Sequence, residues 1–183
     1  MSDDGSGGGD DAPTNDGQQF DRLPATPDDR EVEGRASRAE VLDWWDERFG
    51  IEPAVFDGHS FWEKGAGKVW VFSGEATDPS EIEAIGMTFL RTRQEHWKPT
   101  GRAVSRFGSR ATKNVIELDP GQASRFAAGE DQDLPAWDGD WGYLIATHEV
   151  AGESVPIGVG LYLYDELRSV VPKGSRADLP VVE

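Results

Sequence analysis

The sequence predicts an α+β fold, in which short helices accompany a small, strongly bent sheet or barrel. Three observations predict this class. Segments rich in β-branched and aromatic residues are short, helix-start signals separate them along the chain, and internal repeats are absent. The length of 183 residues suits one domain or two small, closely packed ones.

The first regular element is predicted to be a helix that begins after Ser37. Ser37 and Glu40 have the spacing of a capping box, in which each side chain accepts a free backbone N–H at the helix start. Gly50 suits the left-handed conformation that ends many helices. One apolar helix face is expected between them, formed by Val41, Leu42, Trp44, Trp45 and Phe49. An irregular stretch is expected to follow as far as Gly65.

Strands and short helices are then expected to alternate. Strands are expected at 68–72, 87–93, 114–118, 141–150 and 155–164, with a hairpin turn at 151–153 between the last two. Short helices are expected from Asp78-Pro79 to near Gly86, over 100–107, and over 122–128 after Asp119-Pro120. Gly158 and Gly160 lie inside a strand and indicate a bulge or a close backbone approach.

Three regions are expected along the chain. Residues 1–36 carry ten acidic residues against three arginines and few apolar ones, which predicts a disordered acidic tail. Residues 37–98 are expected to form a small N-terminal α/β subdomain, and residues 99–183 are expected to form the barrel.

The composition indicates the environment of the protein. The formal net charge is −17, and 13 of the 18 basic residues are arginine. Such an acidic, lysine-poor surface is typical of proteins that stay soluble in molar salt, so a halophilic protein is predicted, with a mesophilic acidic protein as the alternative. The absence of cysteine excludes disulfides, thiolate nucleophiles and cysteine-ligated metal centres. Neither a membrane-spanning apolar run nor a secretory signal is found, and a cytoplasmic location is expected.

A basic stretch interrupts this acidic chain. Residues 91–113 carry a net charge of +6, opposed internally only by Glu95, whereas the rest of the chain carries −23. Its basic residues are Arg91, Arg93, Lys98, Arg102, Arg106, Arg110 and Lys113.

The spacing within this stretch favours an anionic ligand. Arg91 and Arg93 would share one face of a strand. The arginines at 102, 106 and 110 would share one face of a helix if the helix extends that far. Guanidinium groups bind phosphate oxygens bidentately, and Trp97 can stack on a base. RNA is the preferred ligand. Phosphate-bearing small molecules, or ion pairs with the surrounding acidic surface, are the alternatives.

No catalytic centre is predicted. The histidines His59, His96 and His148 lack the spacing of metal ligands, and no metal site is expected. No dinucleotide-binding glycine motif, phosphate loop or nucleophile elbow occurs. The protein is therefore expected not to be an enzyme and to use no cofactor.

Three longer stretches carry a family resemblance. They are IGMTFLRTRQEHWKPTGRAVSRFG, NVIELDPGQASRFAAGEDQDL and WGYLIATHEVAGESVPIGVGLYLYDELRSVVPKGSR. Their matching positions are Gly86, Arg93, Lys98, Pro99, Pro156, Gly158, Gly160, Pro172, Lys173, Gly174 and Arg176. Together they resemble the PUA-like RNA-binding module of the Nop/Sun/Fmu-type rRNA cytosine-5 methyltransferase family. The segment ERFGI is similar to the lead-in of stand-alone members described as ribosome-biogenesis proteins.

The resemblance implies a small mixed PUA-like β-barrel that binds structured RNA through one basic face. It does not imply methyl transfer, because the chain has no cysteine nucleophile and no room for an S-adenosylmethionine domain. Leu161 stands where the family tends to have lysine, and Arg168-Ser169 stands where it has Lys-Asn. Arg168, Lys173 and Arg176 restore positive charge near these positions.

A non-catalytic RNA-binding protein of ribosome biogenesis is therefore expected, with rRNA as ligand ahead of tRNA. The expected RNA-binding residues are Arg91, Arg93, Trp97, Lys98, Arg102, Arg106, Arg110, Lys113, Arg168, Lys173 and Arg176. A first alternative is an enzyme acting on a nucleotide or modified nucleoside, which predicts a buried carboxylate beside Lys98 or Lys113. A second is an adaptor for an RNA methyltransferase or pre-ribosomal particle, with Trp137 and Trp141 as surface anchors. No membrane partner is expected.

Overall fold

The structure, a computed structural model, describes residues 19–76 and 84–176 and confirms the α+β class. Two five-stranded sheets, one of them curled into a half-barrel, are accompanied by short helices. Within these two ranges, no helix is long and apolar enough to cross a membrane. The helix expected from Asp78-Pro79 lies largely outside the described residues.

The first sheet is an antiparallel meander in which the strands follow their sequence order. Its strands are β1 (Asp21–Arg22), β2 (His59–Glu63), β3 (Lys68–Ser73), β4 (Met87–Arg91) and β5 (Lys98–Pro99). Helix α1 (Arg38–Phe49) contributes Trp45 and Phe49 to the cluster that covers one face of this sheet. The expected caps of α1 are confirmed, because Ser37 and Glu40 form the capping box and Gly50 has a φ of 63°.

The second sheet has the strand order β6-β8-β9-β10-β7. These strands are β6 (Val115–Leu118), β7 (Gln132–Asp133), β8 (Gly142–Val150), β9 (Glu153–Leu163) and β10 (Glu166–Ser169). Strands β6 and β8 pair in parallel, and the chain between them contains helix α3 (Pro120–Ala127). The expected hairpin is confirmed as β8 and β9, whose turn is at Ala151 and Gly152.

Residues 19–36 differ from the expected disordered tail. Phe20 and Leu23 are buried, and β1 pairs with β2 at the edge of the first sheet. Arg35 donates hydrogen bonds to Asp21 at 3.0 Å and to the buried Glu63 at 3.3 Å. Burial raises the pKa of Glu63, and Arg35 opposes that rise. A few apolar anchors and one buried ion pair therefore order a segment whose average composition is that of a solvated chain.

The sequence predicts an irregular stretch between α1 and Gly65, but His59–Glu63 form strand β2. Both of its faces are covered: Phe61 packs in the cluster with α1, and Trp62 packs with Phe20 on the opposite face. Its buried Ser60 hydroxyl donates to the Gly74 carbonyl at 2.6 Å, which satisfies a polar group in the core. A strand that is buried on both sides carries no period-two signal.

A single apolar cluster joins the two sheets. It contains Phe89 of β4, Ile145 of β8 and Val159 of β9, together with Val104 of helix α2 (Gly101–Phe107). Helix α2 packs on both β4 and β9. The end of the first sheet is thereby held beside the middle of the second, and this junction positions the grooves described below.

The β-bulge and close backbone approach predicted at the glycines of β9 are confirmed. The register of β8 and β9 shifts so that Ala146 pairs with Gly158 and Thr147 pairs with Pro156, which makes Ile157 the extra residue of a β-bulge. A Cβ atom at Gly158 would lie 3.0 Å from the Phe126 ring. The bulge and the close approach both require the small residue.

Candidate functional site

A groove opens where β4, β5 and α2 face β9 and the segment that follows β10. It has a volume of about 770 Å³. Four basic residues line it: Arg91, Lys98, Arg102 and Arg106. We call this space the basic groove. Its apolar lining includes Ile157 and Val159 of the bulged strand and Val170 and Val171 beyond β10.

Two of these cations are cross-strand neighbours. Arg91 of β4 pairs directly with Lys98 of β5 in the antiparallel register. Like charges in directly opposite positions repel each other, so this pair destabilises the sheet when no anion is present. The pKa of Lys98 is lowered by burial and by the nearby Arg91 guanidinium. An anion between the two side chains would relieve both effects.

The other two cations are on α2. Arg102 and Arg106 are four residues apart and exposed, with Ser105 between them on the groove side. The helix starts at the Thr100 cap, whose hydroxyl accepts from the Ala103 N–H at 3.1 Å. It ends at Phe107, so Arg110 lies in the following 3-10 turn and does not extend the row of arginines.

The lining of the basic groove contains no carboxylate among the residues that the structure describes. Arg91, Lys98, Arg102 and Arg106 make no ion pair within the same ranges, whereas Arg22, Arg30, Arg35, Arg48 and Arg168 each contact a carboxylate. Arg93, Arg110 and Lys113 also make no ion pair in these ranges, so what distinguishes the four is that they line one groove without a carboxylate in its described lining. The interpretation that the basic stretch serves local ion pairs therefore does not hold for these four.

The remaining residues expected to bind RNA are not gathered in this groove. Arg93 follows β4 and lies next to the turn at Gly67. Lys113 packs beside the C-terminal end of α1, where its backbone N–H donates to the Phe49 carbonyl. Arg168 pairs with Glu166 at 2.7 Å, and Arg176 lies against Gly129. Lys173 is exposed between the groove residues Pro172 and Ser175. The sequence pattern had not indicated the contributions of Thr88, Ser105 and Ser175, because the groove forms only when α2 docks on β9.

Trp97 lines a different groove of about 780 Å³. One wall is the exposed face of α1, with Glu40, Asp43, Trp44 and Glu47. The opposite wall comes from β8, β9 and the residue before β8, with Trp141, Tyr143, Leu161 and Leu163. Glu95 lies beside Trp97, whose ring centroid is 6.5 Å from that of Trp44. We call this space the acidic aromatic groove.

Arg48 holds the two walls of the acidic aromatic groove together. Its Nε donates to the Tyr143 carbonyl at 2.8 Å, and its guanidinium is 4.0 Å from Asp140. Burial lowers the pKa of Arg48, while Asp140 opposes that effect. Arg48 is therefore a structural clamp between α1 and β8.

Of the two tryptophans that the adaptor alternative names as surface anchors, Trp141 is the exposed one. Its side chain is 53% exposed and its ring is 4.9 Å from that of Tyr164, which is 76% exposed. Trp137 is instead half-buried against Tyr162, and its Nε1 donates to the Asp140 carbonyl at 3.2 Å. Only one of the two expected anchors is thus available at the surface.

No metal centre is found in the described ranges, where no three His, Cys, Asp or Glu side chains cluster suitably. His148 contacts the Leu118 carbonyl at 3.0 Å, and the His59 ring packs against Phe107. Both histidines have structural contacts, and His96 lies in the acidic aromatic groove.

Comparison with known protein families gives a match over the N-terminal part of the chain. A family of unknown function, DUF7122, matches residues 2–86 of the chain. The match includes α1 and the first three strands and ends immediately before β4. Every cation of the basic groove therefore lies beyond it, while the α1 wall of the acidic aromatic groove lies within it. A search of curated proteins finds no match.

Proposed function

We propose that the protein binds RNA, and that the basic groove contacts the phosphate backbone. The observation that carries this proposal is four unpaired cations around one concave surface without a carboxylate in the described lining, in a chain of net charge −17. Phosphate contacts supply most of the affinity of RNA-binding proteins and position the ligand.

The cross-strand pair of Arg91 and Lys98 supports an anionic ligand specifically. Because their repulsion costs stability in the free protein, a bound phosphate gains more there than at an isolated lysine. Arg102 and Arg106 on α2 offer planar donors that bind phosphate oxygens bidentately. The geometry of such contacts adds to charge alone, which matters where salt is high.

RNA is preferred over other anions because of the resemblance to the PUA-like module. That resemblance further suggests rRNA, or tRNA, as the ligand in a non-catalytic role in ribosome biogenesis. The nucleotide-enzyme alternative predicted a carboxylate beside Lys98, and the described lining of the basic groove contains none. The groove geometry therefore supports binding of a polyanion better than chemistry on a nucleotide.

The test compares two pairs of charge reversals within one basic stretch. Arg102→Glu/Arg106→Glu alters the basic groove, and Arg93→Glu/Arg110→Glu makes the same charge change outside its lining. All four residues are exposed, so both variants should fold. Binding of a fluorescently labelled rRNA hairpin is measured by anisotropy across a KCl series.

We expect the groove variant to lose about 100-fold in affinity and to reduce the slope of affinity against salt by about 2. The matched variant should lose less than about tenfold, because only the general field changes. Equal losses in both variants would contradict a groove site. Binding of adenosine monophosphate as tight as that of the hairpin would replace RNA by a mononucleotide as the ligand.

A further inference from the structure

We propose that the acidic aromatic groove is a second binding site, which accepts a short extended segment of a partner protein carrying arginine or lysine side chains. This site is separate from the basic groove. Trp97 lines one and Lys98, the next residue, lines the other. The proposal does not depend on RNA binding.

The charge of the groove favours a cationic occupant. Asp43, Glu47 and Glu95 line it and make no ion pair within the described ranges. Glu40 also lines it but is shared with Arg30 at 2.6 Å. Arg48 is the arginine of the described lining, and its side chain is largely buried, with Nε donating to the Tyr143 carbonyl. An anionic nucleic-acid backbone would be repelled here, which separates this site from the RNA proposal.

The aromatic lining matches the same chemistry. Trp44, Trp97 and Trp141 all border the groove, and tryptophan has the aromatic face that attracts cations most strongly. Such a contact strengthens when carboxylates nearby add their field and the cation loses water. Trp141 is 53% exposed and contacts Tyr164, which is 76% exposed, so the two rings form an exposed aromatic pair at this groove.

The shape favours a peptide over a single small cation. The carboxylates at positions 40, 43 and 47 follow one face of α1 over two helical turns, a row of about 10 Å. An extended chain covers that distance in about three residues. Its side chains alternate, so basic residues would face α1 while apolar residues face Trp141, Leu161 and Leu163. The volume of about 780 Å³ accommodates such a segment.

The test uses a fluorescently labelled peptide of alternating arginine and leucine, five residues long, with glutamate in place of arginine as the control peptide. Binding to the full chain is measured by anisotropy. Asp43→Lys/Glu47→Lys reverses the charge of the helix wall. Glu117→Lys/Glu149→Lys is the matched control, since both residues are exposed on the second sheet outside the described groove lining. Trp141→Ala removes an exposed ring.

We expect the arginine peptide to bind, and the helix-wall reversal and Trp141→Ala each to weaken it by at least about tenfold. The matched reversal should change its affinity by less than about twofold. No binding of the arginine peptide, equal loss in both reversals, or equal binding of the glutamate peptide would each overturn the proposal. So would displacement by tetramethylammonium at the peptide's own concentration, which would indicate a site for small cations. Loss of rRNA-hairpin binding in Trp141→Ala would also overturn it, by assigning the groove to RNA.

Discussion

The two grooves have nearly equal volumes but opposite linings. The basic groove holds four cations over an apolar floor, and the acidic aromatic groove holds carboxylates beside three tryptophans. Trp97 and Lys98 are neighbours in sequence at the start of strand β5, yet they line different grooves. The net charge of the whole chain therefore says little about either surface, because Glu95 and Lys98, three residues apart, line different grooves.

Changing Trp97 and Lys98 separately tests whether the two grooves are independent binding sites. Lys98→Glu should weaken the rRNA hairpin about 100-fold, because it replaces a phosphate contact by repulsion, and should leave the arginine peptide unchanged. Trp97→Leu keeps apolar volume but removes the aromatic face, so it should weaken only the peptide, by about fivefold. Anisotropy with both ligands on both variants measures this. If either variant lost both ligands, the grooves would be one site.

The pH dependence of RNA binding tests whether the charge of Lys98 contributes to that binding. Its pKa is lowered by burial and by Arg91, so the side chain loses its proton at a lower pH than an ordinary lysine. As the pH rises through the lowered pKa of Lys98, RNA affinity should therefore fall by up to about tenfold. This fall should occur at pH values where ordinary lysine side chains are still protonated. Without RNA, the free energy of unfolding should rise over the same interval, because the unfolded chain then binds more protons.

The control for this dependence is Lys98→Arg. Arginine stays protonated at these pH values, so the variant should keep its RNA affinity where the wild-type protein loses it. Peptide binding should not follow the Lys98 titration in either protein. An identical alkaline loss in Lys98→Arg would show that another group is responsible.

Substitution of Tyr164, at the rim of the acidic aromatic groove, is expected to have the smallest effects, and these differ in sign for stability and for peptide binding. Tyr164 and Asp165 form the turn between β9 and β10 with positive φ angles of 51° and 64°, a conformation that costs a tyrosine about 1 kcal/mol. Tyr164→Asn should raise the free energy of unfolding by up to that amount, yet weaken the arginine peptide about threefold by removing the ring beside Trp141. Urea unfolding and anisotropy measure the two quantities.

Asp165→Gly relieves the same turn and keeps the tyrosine ring. It should therefore leave peptide affinity unchanged, while the lost Asp165 contact with Tyr162 offsets the relief of the turn in the free energy of unfolding. If Tyr164→Asn stabilised the protein and left peptide binding intact, the Tyr164 ring would have no part in the groove.

Local signals predicted the elements that depend on local chemistry. The capping box of α1, the Asp119 cap of α3 and the β8–β9 hairpin are all present, because each is specified within a few residues. Strand β2 and the structure of residues 19–36 were missed, because both depend on packing between segments far apart in sequence. Trp62 of β2 is only 4% exposed because it packs with Phe20 and Ile85, which are distant in sequence.

The same division applies to the candidate site. The charge reversal in the sequence indicated residues 91–113, but it could not separate the groove cations from Arg93, Arg110 and Lys113. That separation depends on where β4 ends, where α2 ends and which strand α2 packs against. Charge is visible in a sequence, whereas concavity is a property of the tertiary structure.

The order of the strands also has a consequence for how the chain folds. In the first sheet β2, β3, β4 and β5 pair in sequence order over short connections, whereas β1 pairs with β2 across a long one that contains α1. The second sheet needs the parallel pairing of β6 with β8 and the return of β10 to β7, and contacts between such distant segments also form slowly. Yet the cluster beneath α1 includes Ile145 and Val159 from the later strands. During synthesis, the meander would therefore emerge first and keep part of its apolar cluster uncovered until β8 and β9 arrive.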